Sequence, residues 1–332
     1  MKNSFIAAGI GLAVLFSGCS HKEVFTPENV KGEWRNAGHL SASIEQVSQS
    51  SALLSNGVLL TKEGEKRLNI PTQNRLIHTT GEWVVTESPE GNLELYSAEG
   101  TDAKVTFEFK RAVAAANVQG DILAVLFANN EMALYSVDSK KLLFKESSNA
   151  AVAVDARIAN PYFLKELVLF LTLDGKIVIV NSETKQVLRS VVISTEEYFN
   201  NITYLNVIEN NLVAATGYGV LALSQQEQRE KYEIRNIAYT QDGIWLTTKQ
   251  GEIIALSPTL QFKGKKKFPF AHFVGISVQG ERVFVLEKEG YMIALTKNLM
   301  SYDIFDVDLQ DNDKIFVGDG QFYFDDRYIN IK

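Results

Sequence analysis

The most regular feature of the sequence is a recurring pair of short apolar runs separated by a polar turn. Each run contains four to six β-favouring residues, and each turn contains Gly, Asn or Asp, as in Asp174-Gly175. Pairs of this kind are typical of β-hairpins. Seven copies span residues 81–97, 120–136, 166–182, 210–224, 242–257, 280–296 and 312–326, and a shorter eighth candidate spans 56–70.

The second run of the pair is similar from copy to copy, reading LELYS, MALYS, IVIVNS, VLALS, IIALS and MIALT in turn. Successive copies lie about 37 residues apart on average, a period typical of propellers and related repeat arrays. Further β-like runs between the hairpins supply the remaining strands of each unit. We predict outer strands at 104–110, 141–147, 186–194 and 300–307, and inner strands at 75–80, 112–118, 201–207, 236–241 and 273–278.

These repeats predict an all-β fold, a β-propeller of about eight four-stranded blades. Seven blades is the alternative, if the 56–70 unit merges with the C-terminal unit where the ring closes. A single blade cannot bury both faces of its sheet, so the stack must close on itself. A β-helix would show a shorter and stricter period, and a two-sheet sandwich would not repeat one hairpin pattern eight times.

The N-terminus has the three regions of a secretory signal. Lys2 is followed by an uncharged apolar run, Phe5 to Phe16, and then by Ser17-Gly18-Cys19. The run has twelve residues, whereas a membrane-spanning helix needs about 20. The pattern resembles the bacterial lipobox, with Phe16 where Leu is usual, and the resemblance implies that Cys19 is lipidated and becomes the first mature residue.

Three segments follow from these patterns: a signal peptide at 1–18, a lipidated tether and lead-in at 19–40, and a single propeller domain at 41–332. Lipoproteins carry two or three acyl chains, enough for stable anchoring. In a two-membrane host, the serine after the cysteine implies transfer to the outer membrane. We therefore expect a lipid-anchored protein of the outer membrane, on its periplasmic face or at the cell surface.

The formal net charge of −7 disfavours nucleic acid and a polybasic membrane patch. One local exception is the basic run 263–267, KGKKK. Lysines on an exposed outer strand can simply discourage edge-to-edge pairing. The other interpretation is contact with an acidic partner or with lipid headgroups.

No catalytic, metal or cofactor motif is present, so we expect a protein that is not an enzyme and has no cofactor. The four histidines are scattered, and lipidation would consume the only thiol. The acidic stretch 303–313 lacks the ligand register of an EF-hand loop and is interpreted as a solvated loop. Tyr198-Phe199 and Tyr204 flank a longer insertion, 195–204, that would form either a binding lip or a set of packed aromatics.

A lipobox cysteine followed by these hairpins resembles the BamB lipoproteins of the outer-membrane β-barrel assembly machinery, and more broadly the pyrroloquinoline-quinone-like propeller repeat. The repeats at 166–191 and 242–261 carry the resemblance best. Tryptophan occurs only three times and the outer-strand "TGK…W" close survives only as a trace at 182–188, which argues against a quinone-dependent enzyme.

In the BamB family a loop with an Arg before an Ala-Pro pair contacts the barrel-forming BamA subunit. The matching stretch is VDARIANP, 154–161, in which Asn160 replaces the Ala and the spacing is one residue shorter. The resemblance therefore implies Arg157, with its neighbour Asp155, as partner-binding residues. It implies a scaffold that contacts a BamA-type subunit or unfolded outer-membrane proteins, and a ligand-binding or adhesin-type lipoprotein is the alternative.

Overall fold

The strands form eight antiparallel four-stranded sheets in a computed structural model that describes residues 23–68, 70–101 and 103–331. Each sheet is one blade, and successive blades follow each other around a ring. In the first four blades, the chain runs from the innermost strand to the outermost. Blade 1 holds β2 (Ile44–Val47), β3 (Ser51–Leu54), β4 (Val58–Thr61) and β5 (Gly64–Arg67). Blade 2 holds β6 (Arg75–Thr79), β7 (Trp83–Glu87), β8 (Leu93–Ser97) and β9 (Lys104–Phe107). Blade 3 holds β10 (Val113–Gln119), β11 (Ile122–Phe127), β12 (Glu131–Ser136) and β13 (Leu142–Ser147). Blade 4 holds β14 (Tyr162–Leu164), β15 (Leu167–Leu171), β16 (Lys176–Asn181) and β17 (Gln186–Val192).

The second half of the ring repeats this arrangement. Blade 5 holds β18 (Tyr204–Ile208), β19 (Asn211–Ala215), β20 (Gly219–Leu223) and β21 (Glu227–Lys231). Blade 6 holds β22 (Ile234–Thr240), β23 (Gly243–Thr248), β24 (Glu252–Leu256) and β25 (Phe262–Lys267). Blade 7 holds β26 (Phe273–Gln279), β27 (Arg282–Glu287), β28 (Tyr291–Thr296) and β29 (Tyr302–Asp306). Blade 8 holds β30 (Ile315–Val317), β31 (Gln321–Phe324), β32 (Arg327–Asn330) and, outermost, β1 (Ala37–His39).

The middle strands of the blades are buried on both faces, which is why they read as continuous apolar runs. β11 is buried along almost its whole length, whereas the outer strand β25 is mostly exposed. In the part of the chain that the structure describes, eight apolar clusters fill the eight interfaces between neighbouring blades. Each blade therefore depends on its two neighbours for its core.

The ring closes by pairing an N-terminal strand with the C-terminal end of the chain. Ala37 lies opposite Ile329, and His39 lies opposite Arg327, in an antiparallel ladder. Between these pairs, the backbone of Gly38 is so close to Tyr328 that a Cβ at this position would lie 2.5 Å from the Tyr328 ring. Only glycine fits this approach without a shift of the ring.

The chain that leads to β1 is packed against the outside of blade 7. The amide of Lys31 donates to the carbonyl of Ile304, and the amide of Trp34 donates to that of Asp306. The Trp34 ring meets Phe305 edge to face at 5.0 Å, and its Nε1 donates to the carbonyl of Asn330 at 2.9 Å. Trp34 thus ties the closing strand to both blade 7 and blade 8.

The predicted all-β propeller is confirmed, with eight blades rather than seven, and the predicted inner and outer strands fall where expected. Two of the predicted hairpins occupy different positions in their blades from the other six. Residues 312–326 contain the first and second strands of blade 8, and residues 56–70 contain the third and fourth strands of blade 1. In blade 8 the outermost strand comes from the N-terminal side of the chain, so the last three strands in sequence are the inner three. In blade 1 all four strands are consecutive, and the predicted hairpin is the outer one of the blade.

The propeller also begins earlier than the predicted boundary at residue 41, since Ala37–His39 is a strand of blade 8. The predicted signal peptide at 1–18 and the lipidated Cys19 lie outside the described residues. Among the residues described, no helix is long and apolar enough to cross a bilayer.

Replacing Trp34 by Ala should weaken ring closure and lower the free energy of unfolding by about 3 kcal/mol, because a large aromatic contact and a hydrogen bond are lost together. The Trp34→Phe variant keeps an aromatic ring and should lose only about 1 kcal/mol. Urea denaturation measures the free energy of unfolding of both variants. If Trp34→Ala unfolds at the wild-type urea concentration, the N-terminal segment does not hold the ring closed.

Candidate functional site

A cavity of about 830 Å³ lies in the centre of the ring, lined by the inner strands of all eight blades. Its charged lining residues are all basic, because no Asp or Glu is among the residues that line it. The polar lining residues include Gln46, Gln49, Lys62, Arg75, His78, Asn117, Asn160, Arg157, Asn206, Arg235 and Asn236. The channel wall is therefore rich in amides, and two of its arginines, Arg75 and Arg157, pair with carboxylates behind the lining.

Glutamine side chains cross-link the channel. Gln49 lies in the turn between β2 and β3 of blade 1, and its Nε2 donates to the carbonyl of Thr203 at 2.6 Å. Thr203 immediately precedes the inner strand of blade 5, which is opposite blade 1 in a ring of eight. Gln46 joins neighbouring blades, since its Oε1 accepts from the amide of Leu76 and its Nε2 donates to the carbonyl of Asn74, each at 2.7 Å.

His78 lies in the channel wall as a neutral hydrogen-bond acceptor. Its Nδ1 is 2.9 Å from Ser50 Oγ and 3.3 Å from Asn160 Nδ2, and the Ser50 hydroxyl itself accepts from the amide of Thr79. Two donors on one ring nitrogen require that nitrogen to be unprotonated. Burial, reinforced by the charge of Lys62, lowers the pKa of His78 to about 4. Because Ser50 and Asn160 contact the same nitrogen, the group is not a nucleophile–base–carboxylate relay.

The two partner-binding residues predicted from sequence are brought together as an ion pair. Asp155 accepts from the amide and Nε of Arg157 at 2.9 and 3.0 Å, and from its Nη2 at 2.5 Å. Burial alone would raise the pKa of Asp155, but the hydrogen bonds and charge of Arg157 outweigh it and lower the pKa. The Nη1 of Arg157 bonds to the carbonyl of Arg235 at the channel wall.

This ion pair belongs to a surface built from two long connections, which we call the lip: residues 148–161, between β13 and β14, and residues 193–203, between β17 and β18. The amide of Phe199 donates to the carbonyl of Ala153 at 2.9 Å. Asn201, fully buried, accepts from the amide of Asp155 at 2.7 Å and donates to the carbonyl of Arg157 at 2.9 Å. The buried Asn201 amide, together with backbone hydrogen bonds, therefore holds the two connections together.

The second connection is also fixed to blade 4. Asn200 Nδ2 donates to the carbonyl of Ser194 at 2.9 Å and lies 3.2 Å from that of Asp174. It packs over Gly175, where a Cβ would lie 2.5 Å from Asn200 and where φ is +82°. The Asp174-Gly175 turn, the strongest turn signal in the sequence, thus supports the lip.

The lip also exposes apolar side chains. Val152 is 68% exposed, and Tyr198 and Phe199 are each 49% exposed. Aromatic and arginine side chains are enriched where proteins bind other proteins. The predicted insertion at 195–204 therefore presents Tyr198 and Phe199 to solvent, whereas Tyr204 is largely buried in the channel wall, which raises the pKa of its hydroxyl.

The sequence interpretation found the first half of the lip only in part, through the family resemblance at 154–161. Between β13 and β14 the chain runs for fourteen residues, from 148 to 161, without a strand. A long gap between predicted strands was the available signal, because connections in compact domains are usually short. The resemblance pointed to Arg157 within this gap but not to the exposed Val152.

The remaining candidate residues form no metal site. Within residues 23–68, 70–101 and 103–331, no group of three His, Cys, Asp or Glu side chains is placed to hold a metal ion. His272 Nε2 is 2.7 Å from the Nη1 of Arg235. In the acidic stretch 303–313, Arg327 pairs with Asp308 and with Asp313.

Fold and site together define an eight-bladed β-propeller with a cross-linked channel and an exposed lip. No family model matches the chain. The chain is 27% identical to the plasminogen-binding protein PgbB from two strains of Helicobacter pylori, J99 and 26695, over 92% of its own length and 65% of theirs. It thus spans somewhat less than two thirds of these relatives.

Solved structures with the same architecture are more distant in sequence. BamB from Moraxella catarrhalis superposes with a TM-score of 0.69 at 14% identity, covering 89% of this chain and 98% of that one. The C-terminal WD40 domain of Sif2 gives a TM-score of 0.64 at 15% identity, covering 90% and 99%. The computationally designed Ika8 protein gives 0.64 at 13%, covering 89% and 100%. These likenesses show the fold, and the predicted BamB-like fold is thereby confirmed.

The low pKa of His78 predicts an acid-sensitive channel. The folded pKa of about 4 lies below the ordinary value of 6.5, so between these pH values the unfolded chain binds a proton that the folded chain does not. Stability should therefore fall as the pH drops through this window, by about 3 kcal/mol from this group. Between pH 7 and 4, the urea midpoint of the His78→Gln variant should fall less than that of the wild type. The midpoint of His39→Gln, a control at an exposed histidine, should fall as much as that of the wild type. Identical profiles for wild type and His78→Gln would contradict a neutral, buried His78.

Proposed function

We propose that this chain is a non-catalytic, lipid-anchored propeller that binds a protein ligand through the lip. The observation that carries the proposal is the exposure of Val152, Tyr198 and Phe199 on two connections that are clamped together by buried Asn201. Apolar side chains held on a rigid frame bind without a large ordering cost. Lipidation of Cys19 and an outer-membrane location, on the periplasmic or the surface side, are parts of the same proposal.

The lip is a better protein-binding surface than the channel. The channel is crossed by the Gln49 hydrogen bond between opposite blades, so a protein segment entering it would have to break this contact. In the lip, the Arg157 guanidinium already has its orientation fixed by Asp155 while its side chain remains 44% exposed. Arginine and aromatic side chains exposed on the same pair of connections have the composition of an interaction hot spot.

The proposed ligand is plasminogen. The relative named as a plasminogen-binding protein aligns with 92% of this chain, which includes most of the propeller. Sequence similarity to that relative supports plasminogen as the ligand, whereas the similarity to BamB is a similarity of fold. Since the chain corresponds to 65% of that relative, binding by the propeller alone is what the experiment must establish.

A second candidate is a scaffold for outer-membrane β-barrel assembly. It is favoured by the position of Arg157, which the BamB-like loop pattern predicted and which lies on the exposed lip. In this case the ligand would be a BamA-type subunit or an unfolded outer-membrane protein. Both candidates use the same surface, and they differ in the partner that it recognises.

Replacing Phe199 by Gly should weaken plasminogen binding at least tenfold without unfolding the protein. Phe199 has φ of +52°, a backbone conformation that glycine adopts without strain, so the thermal midpoint should change little. Loss of a central aromatic typically costs more than about 1.4 kcal/mol of binding, which is tenfold in Kd. Biolayer interferometry on immobilised plasminogen measures the change.

The matched control is Phe270→Gly. Phe270 is also exposed and also has a positive φ, of +63°, but it lies between blades 6 and 7, away from the lip. Its variant should bind as the wild type does. Equal binding by Phe199→Gly and the wild type would show that the lip is not the ligand surface.

For the second candidate, affinity purification of the lipidated protein from mildly solubilised membranes should recover an outer-membrane barrel with periplasmic repeat domains. Arg157→Glu should then reduce this recovery several-fold, because it places two carboxylates together at the lip. Arg189→Glu reverses a charge on the outer strand of blade 4 and serves as the control. Mass spectrometry quantifies the partner, and recovery without any barrel-assembly component would remove this candidate.

A further inference from the structure

The outer strand of blade 6 carries a concentration of positive charge. β25, Phe262–Lys267, contains four lysines in six residues. One of them, Lys265, pairs with Glu252 at 3.0 Å. Lys263 instead donates to a backbone carbonyl, that of Asp242, at 3.1 Å, and Lys266 lies 4.6 Å from the centre of the Tyr302 ring. Most of this charge is therefore available to an anionic partner.

Exposed apolar side chains accompany these lysines. Phe262 is 63% exposed at the start of β25, and Met300 is 83% exposed in the adjoining turn of blade 7. Strand and turn are neighbours, since a Cβ at Gly264 would lie 3.4 Å from the carbonyl oxygen of Asn298. We call the strand Phe262–Lys267 together with Met300 and Tyr302 the basic edge.

The basic edge lies next to Phe25, which is near the start of the described chain and packs on the propeller. Phe25 is buried and meets the Phe268 ring edge to face at 5.9 Å. Phe268 in turn meets Tyr302 of the basic edge at 5.1 Å. Cys19 is six residues before Phe25, so an extended chain between them spans about 20 Å at most. A bilayer that holds a lipid on Cys19 is therefore within reach of this edge.

We propose that the basic edge docks on the membrane surface, with its lysines on anionic phospholipid headgroups and with Phe262 and Met300 in the interfacial layer. This inference rests on the lipid anchor in the proposed function. Lysines near an anionic bilayer and exposed apolar side chains act together in such contacts. The net charge of the whole chain is negative, so anionic lipid would repel most other surfaces and would select this orientation.

Protection of the strand edge by lysines accounts for the charge but not for the apolar neighbours. An edge that only had to avoid pairing would gain nothing from an exposed Phe262 and an exposed Met300. Docking by the outer strands of blades 6 and 7 would also leave the lip free, because the two lip connections flank blade 4.

The test uses the lipidated protein with a single reactive thiol. The chain has one cysteine, Cys19, which lipid would occupy, so Phe262→Cys gives one site for an environment-sensitive dye. Tyr198→Cys in the lip is the control. Both labelled proteins are bound to phosphatidylcholine vesicles with and without phosphatidylglycerol, and co-flotation and dye emission are recorded.

We expect co-flotation with both vesicles, and a blue-shifted dye at position 262 only with phosphatidylglycerol. The shift should disappear in high salt and should need at least about tenfold more anionic lipid when Lys263, Lys266 and Lys267 are all replaced by Gln. The dye at position 198 should stay solvent-like throughout.

The outcomes separate the edge from the anchor. Co-flotation with an unshifted dye at position 262 would contradict membrane docking by the basic edge and would leave the lipid anchor supported. If the protein floats only with the anionic vesicles, in a salt-sensitive way and with a shifted dye at position 262, docking by the basic edge is supported and the lipid anchor is contradicted. Absence of co-flotation with either kind of vesicle would contradict both the docking of the basic edge and the lipid anchor. A shift produced by polyglutamate but not by anionic vesicles would assign the edge to an acidic protein instead of the membrane.

Discussion

A three-residue strand from the N-terminal side of the chain, Ala37–His39, completes the last blade and closes the ring. Everything else depends on this closure, because each of the eight apolar cores lies between two blades and none lies within one. An open ring would expose the faces of blades 1 and 8 to water. The chain secures the closing strand with Trp34, which spans blades 7 and 8, and with Gly38, which lets the backbone lie against Tyr328.

On this closed frame, polar side chains perform two different tasks. In the channel, glutamines and asparagines join blades to one another, and the neutral His78 accepts hydrogen bonds from Ser50 and Asn160. In the lip, Asn201 and Asn200 hold two strandless connections against blade 4, so that apolar side chains can stay exposed without collapsing. Buried amides suit both tasks since they donate and accept without carrying charge. The result is a rigid body whose longest strandless connections are gathered in one place.

The repeat of apolar runs predicted the fold almost completely, because strands buried on both faces leave a clear record in sequence. The repeat did not predict the ring closure, because β1 is separated in sequence by nearly the whole chain from the strands with which it forms blade 8. For the site, Arg157 and Asp155 were found through a family resemblance, and their pairing is visible only in the structure. The Asn201 clamp left no local pattern, because it joins segments more than forty residues apart, and the exposure of Val152 is visible only in the structure. The basic run at 263–267 was visible, but its closeness to Phe25 was not.

The central claim is that the lip is the ligand-binding surface of a propeller that holds its shape. Hydrogen–deuterium exchange of the lipidated protein, with and without its captured protein ligand, tests this claim most directly. The account predicts slower exchange in residues 148–161 and 193–203 on binding, with the blade strands unchanged. Protection confined to the outer strands or to the channel strands, with the lip unaffected, would contradict it.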